Sequence, residues 1–472
     1  YWRDWSSDVC SSDLGATTPA LLALAVNAPG AVVDLKNQTQ AFGAITSINP
    51  YAGQGGTITN SGASVVALTS STQSASGTFA GQITGNIAFT RSGANTTLLT
   101  NANTYTGATV VRGGTLQLRD AGAITTSGGL TLNYGTLNWD NYGLNPVGSP
   151  NPVRIAANNP VTMQGGAFTI NGAGSTDTVA TLNSVTVTGG NNTLNVLPYL
   201  AMASTVRLNI GNLVRASNSR SGVNFNGWST NNSGGFNSLG GQGFNSQSNI
   251  FITQLNGAAF SSSNLTNNLI GGWAVADGST FATYNNTFGV VAMGTTYGGF
   301  SSTAFTGTDI TSTAATGNYN DAGSGTTAIT RTMTTGAKTA NSWRIAQSGA
   351  ATTVTPVSGT TYSFGVGIIT NNAQTVTLDA VDATNTLTGT GTDLYVFVNQ
   401  ATTIIKPAVI GTMALVSNGS ATLRLAPTYA SNTYSGGTFV NGGTLNLQAA
   451  TGFVAVPGDI TVNNGAVTMS TE

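Results

Sequence analysis

Acid–base chemistry in this 472-residue chain would have to rest on aspartate. There is no histidine, a single cysteine (Cys10) and a single glutamate (Glu472). That removes the Ser-His-Asp triad, the imidazole base and the histidine-ligated metal from consideration. The closest acidic pair is Asp379 and Asp382, with Asp393 following. Clustered carboxylates, or one beside Arg or Lys, are what a carbohydrate-active β-helix such as a polysaccharide hydrolase or lyase needs. A spacing of three along an extended strand points the two side chains to opposite faces, so only a turn brings them together. The other acids, among them Asp34, Asp120, Asp140, Asp277 and Asp309, are dispersed and read as turn or strand-end residues. Calcium would require acids repeated in glycine-rich turns, and the sequence has none. No catalytic, cofactor-binding or metal-ligating residue is assigned, no cofactor is expected, and the chain is read as not an enzyme.

Aromatic rings offer a second kind of site. The Gly/Asn/Ser-rich segment 217–249 carries Phe225, Trp228, Phe236 and Phe244, which could form a platform for glycans on a loop. Trp273 with Asp277 and Tyr284 could line a sugar groove. The competing reading, and the favoured one, tucks these rings back onto the body of the protein. Surface glycans, or the surface of a host or neighbouring cell, are the partners these residues suggest. Nucleic acid is not among them: 14 Lys+Arg stand against 15 Asp+Glu, net charge −1, and the basic residues are scattered singly.

Positioning any such site falls to strands. Residues 1–14 are set aside first, because Asp4 to Leu14 resembles a translated sequencing-library adapter in its dense Trp, Asp and Ser, and it holds the only Cys. What remains has no cysteine, which is compatible with export. No run reaches the roughly eighteen apolar residues of a membrane helix. The segment Ala20-Leu-Leu-Ala-Leu-Ala-Val26 reads as a buried strand, and any export signal is expected upstream.

The sequence repeats itself. Asn103-Thr-Tyr-Thr-Gly-Ala-Thr-Val-Val-Arg-Gly-Gly-Thr-Leu-Gln-Leu118 aligns without gaps to Asn432-Thr-Tyr-Ser-Gly-Gly-Thr-Phe-Val-Asn-Gly-Gly-Thr-Leu-Asn-Leu447. With one inserted residue, Leu130-Thr-Leu-Asn-Tyr-Gly135 continues onto Ile460-Thr-Val-Asn-Asn-Gly465. Apolar and polar residues alternate strictly within these stretches, as half-buried strands do. Gly113-Gly114, Gly128-Gly129, Gly442-Gly443 and Asn464-Gly465 bound them as turns. Similar units recur at 55–60, 161–166, 185–190 and 374–378, and capped helical periodicity is not evident.

One strand-turn-strand unit cannot bury its own apolar face, so stacked coils are the natural core. The expected fold is all-β, a parallel β-helix or β-solenoid of short strands with Gly/Asn turns; a pair of β-sandwich domains is the competing reading. At about 20–30 residues per coil and about 4.8 Å per rung, residues 15–472 would make a rod of roughly 70–110 Å. The expected division is 15–145 with the first repeat copy, 146–404 with inserted loops, and 405–472 with the second copy. Open solenoid ends expose strand edges, so self-association through them is expected.

The stretch from Val33-Asp-Leu35 through Gln40-Ala-Phe-Gly43 and Gly77-Thr-Phe-Ala-Gly81 to Asn103-Thr-Tyr-Thr-Gly107 and Gly113-Gly-Thr-Leu116 resembles the autotransporter-associated β-strand repeat. Ile270-Gly-Gly-Trp-Ala-Val-Ala-Asp-Gly278 with Phe281-Ala-Thr-Tyr284 is similar to an inter-repeat segment of long members. Where the family often carries Lys in the preceding strand, Arg91 is read in one copy and Val416 in the other, and 426–431 is an insertion. The resemblance implies the passenger region of a bacterial surface protein: extracellular, outer-membrane-associated, non-enzymatic, a stalk or adhesin. A C-terminal translocator barrel is not visible in the sequence, so the export route is implied by the resemblance alone.

Overall fold

The computed structural model describes residues 21–73, 75–142, 152–173, 176–198, 204–227, 239–240, 246–294, 315–323 and 326–471. The adapter-like segment 1–14, Asp309, and the ring-bearing positions Trp228, Phe236 and Phe244 lie outside the described residues. The fold is all-β, a parallel β-solenoid of about 16 turns, with one 3-10 turn at Ser262–Asn264 and no α-helix among the described residues. Accordingly, no helix is long and apolar enough to cross a membrane.

Each coil is built as the alternation dictates. Thr115–Leu118 lies between Thr96–Leu99 and Thr136–Asp140, all parallel and in register. Leu116 pairs with Leu137, and Leu118 with Trp139. These four side chains are essentially buried, while Gln117 and Asn138 keep to the half-exposed outer face. In the second copy Thr444–Leu447 lies between Thr422–Leu425 and Ala466–Met469 in the same register. Stacking like on like lets each coil bury the apolar face of its neighbour. Gly114 (φ +50°) and Gly443 (φ +66°) make the left-handed corner before these strands, a conformation that β-branched residues resist.

The structure also gives the repeat motif a physical reason. Asn103 accepts from the Ile83 amide of the coil below (3.0 Å) and donates to Asn101 and to the Ala123 carbonyl of the coil above. Its counterpart Asn432 accepts from the Val409 amide (2.7 Å) and donates to the Ala455 carbonyl (2.6 Å). One side-chain amide thus ties three coils together at the corner, adding to the backbone bond from Asn103 to Ala123 and from Asn432 to Val454. Two residues on, the Tyr105 hydroxyl bonds Thr109 Oγ1 (2.7 Å), and Tyr434 bonds Thr438 (2.6 Å). The motif is a corner lock.

The strand register corrects one sequence alignment. Arg91 lies beside Val111, and Ser417 beside Val440, so Ser417 rather than Val416 is the counterpart of Arg91. Arg91 is fully buried and donates to the Gly93 and Gly113 carbonyls and to Thr72 Oγ1; burial lowers its pKa to about 10, which leaves it charged. Val416 joins the apolar core instead.

The coils do not form one uninterrupted rod. About 16 turns at about 4.8 Å would extend roughly 77 Å. They divide instead into a first arm, ending in the strand Gly289–Ala292, and a second, starting at Asn318–Gly323. The first arm closes with antiparallel pairing of Ala274–Ala276, Thr280–Asn285 and Gly289–Ala292, which interrupts the parallel stacking. The second arm then returns along the first. Asn318 donates to the Asn267 carbonyl and Arg344 to that of Ser279; further along, Gly419 and Asn441 stand opposite Asn191 and Gly165. Later coils of the second arm meet earlier coils of the first, so the arms are antiparallel.

Candidate functional site

The seam between the arms holds a cluster of charged side chains, in a chain with only 6% charged residues. Its centre is apolar: Trp273, Phe281 and Tyr284 of the closing segment share one buried core with Ile369, Tyr395, Phe397 and Val416 of the second arm. Phe281 meets Phe397 edge-on, centroids 6.1 Å apart. Around it, Asp393 faces two guanidinium groups, Arg215 at the end of the strand 204–215 at 3.8 Å and Arg220 in the turn that follows at 3.2 Å. Arg215 also donates to the Tyr395 hydroxyl, which in turn donates to Asp393. Arg220 lies over the Phe439 ring at 4.9 Å, and its carbonyl accepts from Asn441. Burial holds the Tyr395 hydroxyl well above its ordinary range, so it stays a donor. Every group in this cluster has a protein partner, and the cluster is a clasp.

The candidate acids do not converge. Asp379 is paired with Lys406 at 2.9 Å. Asp382 sits in the 382–385 turn, where hydrogen bonds from Thr384 and Ser358 hold its carboxyl below the usual range. Asp393 is in the clasp. A glycoside hydrolase would need two of them on one substrate. Asp277 receives the Gly227 and Leu239 amides and so anchors two interior points of the 217–249 segment. Asp34 and Asp140 accept from nearby amides, and Asp120 occupies a left-handed turn position (φ +58°).

The three described aromatics of these groups, Phe225, Trp273 and Tyr284, fold inward. Phe225 is inaccessible, and Trp273 and Tyr284 are only 8% exposed. The Tyr284 hydroxyl is occupied by the Ile252 amide and carbonyl. None of the three can present a face to a sugar.

Two clefts open along the seam instead. One, of about 400 Å³, lies between the first-arm corners at Tyr134, Gly165 and Asn191 and the second-arm corners at Gly419, Asn441 and Asn464. The other, of about 310 Å³, continues from Asn191, Gly419 and Ser420 to Asn224, Asn371 and Asn399. No charged residue lines either one. Tyr134, with φ +55° and its ring against Gly165, is partly exposed at the mouth of the first. The buried amide atoms Asn191 Oδ1 and Asn399 Nδ2 have no hydrogen-bond partner in the protein. Sequence reasoning takes Tyr134-Gly135 and Asn464-Gly465 as turns and nothing more. The signal was the repeat itself, which places both at equivalent corners.

Comparison with known proteins bears on the coils rather than the clefts. The family model of the passenger-associated-transport-repeat matches at residues 89–118 and again at 415–447. These are the coils whose Asn and Tyr locks are described above. The chain carries two copies of this repeat in a β-solenoid, which supports an autotransporter passenger-like repeat protein. No curated protein and no solved structure matches it. One passenger repeat lies in each arm, so the pairing of arms sets two copies of the same unit into one folded-back body. Such repeats imply a secreted or cell-surface protein.

Proposed function

We propose that this passenger-like chain is a non-enzymatic stalk or adhesive element on a bacterial outer surface. The observation that carries the reading is the pair of passenger-associated repeats within a parallel solenoid. It is supported by the dispersal of Asp379, Asp382 and Asp393 onto separate partners, which leaves no pair of acids poised on one substrate. A nearly charge-free exterior of Thr, Asn and Gly is suited to contact with neutral surfaces.

The test is display of residues 15–472 on bacterial cells, fused ahead of an outer-membrane β-barrel. Externally added protease should remove the chain from intact cells. The cells should release no reducing ends from polysaccharide substrates. Retention of the chain inside the cell, or release of reducing ends that depends on Asp379 or Asp382, would overturn the proposal in favour of a carbohydrate-active β-helix.

A further inference from the structure

We infer that the two connected clefts along the seam form a binding site for an uncharged saccharide. The inference deepens the surface-passenger reading and rests on it for where such a ligand is met.

The argument starts from orphaned amides. Asn191 and Asn399 line the clefts, and the buried atoms Asn191 Oδ1 and Asn399 Nδ2 are unpaired; Asn418, next in the chain to the lining residue Gly419, is 1% exposed with neither its Oδ1 nor its Nδ2 paired. Asn418 and Asn191 come from different arms, yet their Oδ1 atoms converge. Each lies 2.9 Å from the point where a Cβ on Gly222 would stand, so only glycine fits against the pair. A buried polar group without a partner costs about 1–3 kcal/mol, so a set of them gathered at one seam calls for something that hydrogen-bonds to it. Waters can do so, but the two clefts, about 400 and 310 Å³, are in the size range of small-ligand sites.

The lining then selects the chemistry. It offers carboxamide donors and acceptors side by side, Ser420 shared by both clefts, and backbone of the Gly-Gly corners. Adjacent hydroxyls, each both donor and acceptor, match side-chain amides; a phosphate or carboxylate would meet no cation here. The ring of Tyr134 at the mouth provides an apolar face for the C–H side of a sugar. An extended peptide fits less well. The coils run their ladders along the arms, and the cleft walls are corners rather than free strand edges, so a peptide would find no β-ladder to extend.

Binding is tested on purified residues 15–472 by saturation-transfer NMR and titration calorimetry, with cellotetraose, maltotetraose and chitotetraose as probes. At least one is expected to bind with a Kd of about 1 mM or tighter. Two variants locate the site. Tyr134→Gly removes the ring at a position whose left-handed backbone suits glycine, and Ser420→Trp fills the wall common to both clefts at an exposed corner. Each is expected to weaken binding about tenfold or more while circular dichroism and the melting midpoint stay near those of the parent. Absence of binding by all three probes at millimolar concentration would overturn the inference, as would binding that survives both substitutions. Neither result would bear on whether the chain is displayed at the cell surface, which the protease experiment decides separately.

Discussion

At the scale of single residues, the chain uses amides and hydroxyls where other proteins use charges. Asn103 and Asn432 each close a corner by joining the coils above and below. The tyrosine two positions later bonds a threonine four residues on within its own coil, and its two copies differ in what depends on it. Thr109 Oγ1 has Ser127 Oγ as a further partner at 2.9 Å, whereas no second bond to Thr438 Oγ1 is found. Tyr105→Phe should therefore be close to neutral. Tyr434→Phe should cost about 1–3 kcal/mol, because a buried hydroxyl loses its bond. Urea denaturation of the two variants checks this; equal losses would show that the hydroxyl pairs are not what holds the corners. Burial also raises the Tyr434 pKa to about 12, so its bond persists until strongly alkaline pH. The motif Asn-Thr-Tyr was legible as a repeat in the sequence. Its function as a lock was not, because the partners lie about a coil away in either direction and only the register of stacked strands identifies them.

At the scale of elements, the alternation in Thr115-Leu-Gln-Leu118 and Leu130-Thr-Leu-Asn133 was enough to place strands, faces and turns, since period 2 sends every second side chain inward. Two things escaped it. The segment 270–284 reads as a spacer with a few aromatics, whereas it closes the first arm with antiparallel strands and forms the seat of the second. Asp393 reads as the third of three dispersed acids. It becomes the centre of a clasp only when the fold-back brings it to Arg215 and Arg220, more than 170 residues earlier in the chain. Sequence spacing carries no record of a contact that distant. The side chains of the clasp are 15–22% exposed, so solvent screens them in part. Asp393→Ala should cost about 1–3 kcal/mol, less than the loss from a fully buried pair, with Arg215 and Arg220 left facing each other. Because the loss falls on the seam rather than on either arm's core, calorimetry should show one melting transition broaden or divide into two. A unitary transition at the parent midpoint would mean that Asp393 does not hold the arms together.

At the scale of the whole molecule, stacking of short coils predicts a rod, and the rod is folded in half. The physical reason is the closing segment: antiparallel strands at the end of the first arm stop propagation of the parallel ladder and present Trp273 and Phe281 as an apolar face. Burying that face against Tyr395 and Phe397 requires the chain to reverse. The reversal creates the seam, and the seam creates the clefts, so the proposed saccharide site exists only in the folded-back form. Residues 15–472 contain no cysteine, which allows spin labels to be placed at will. Double electron–electron resonance between labels at Thr136 and Asn464, which line the same cleft, is the most direct test. Side-by-side arms predict a short distance, about 20 Å or less given sheets stacked about 10 Å apart. A separation of about 60 Å, roughly a dozen rungs, would contradict the fold-back and restore the single rod.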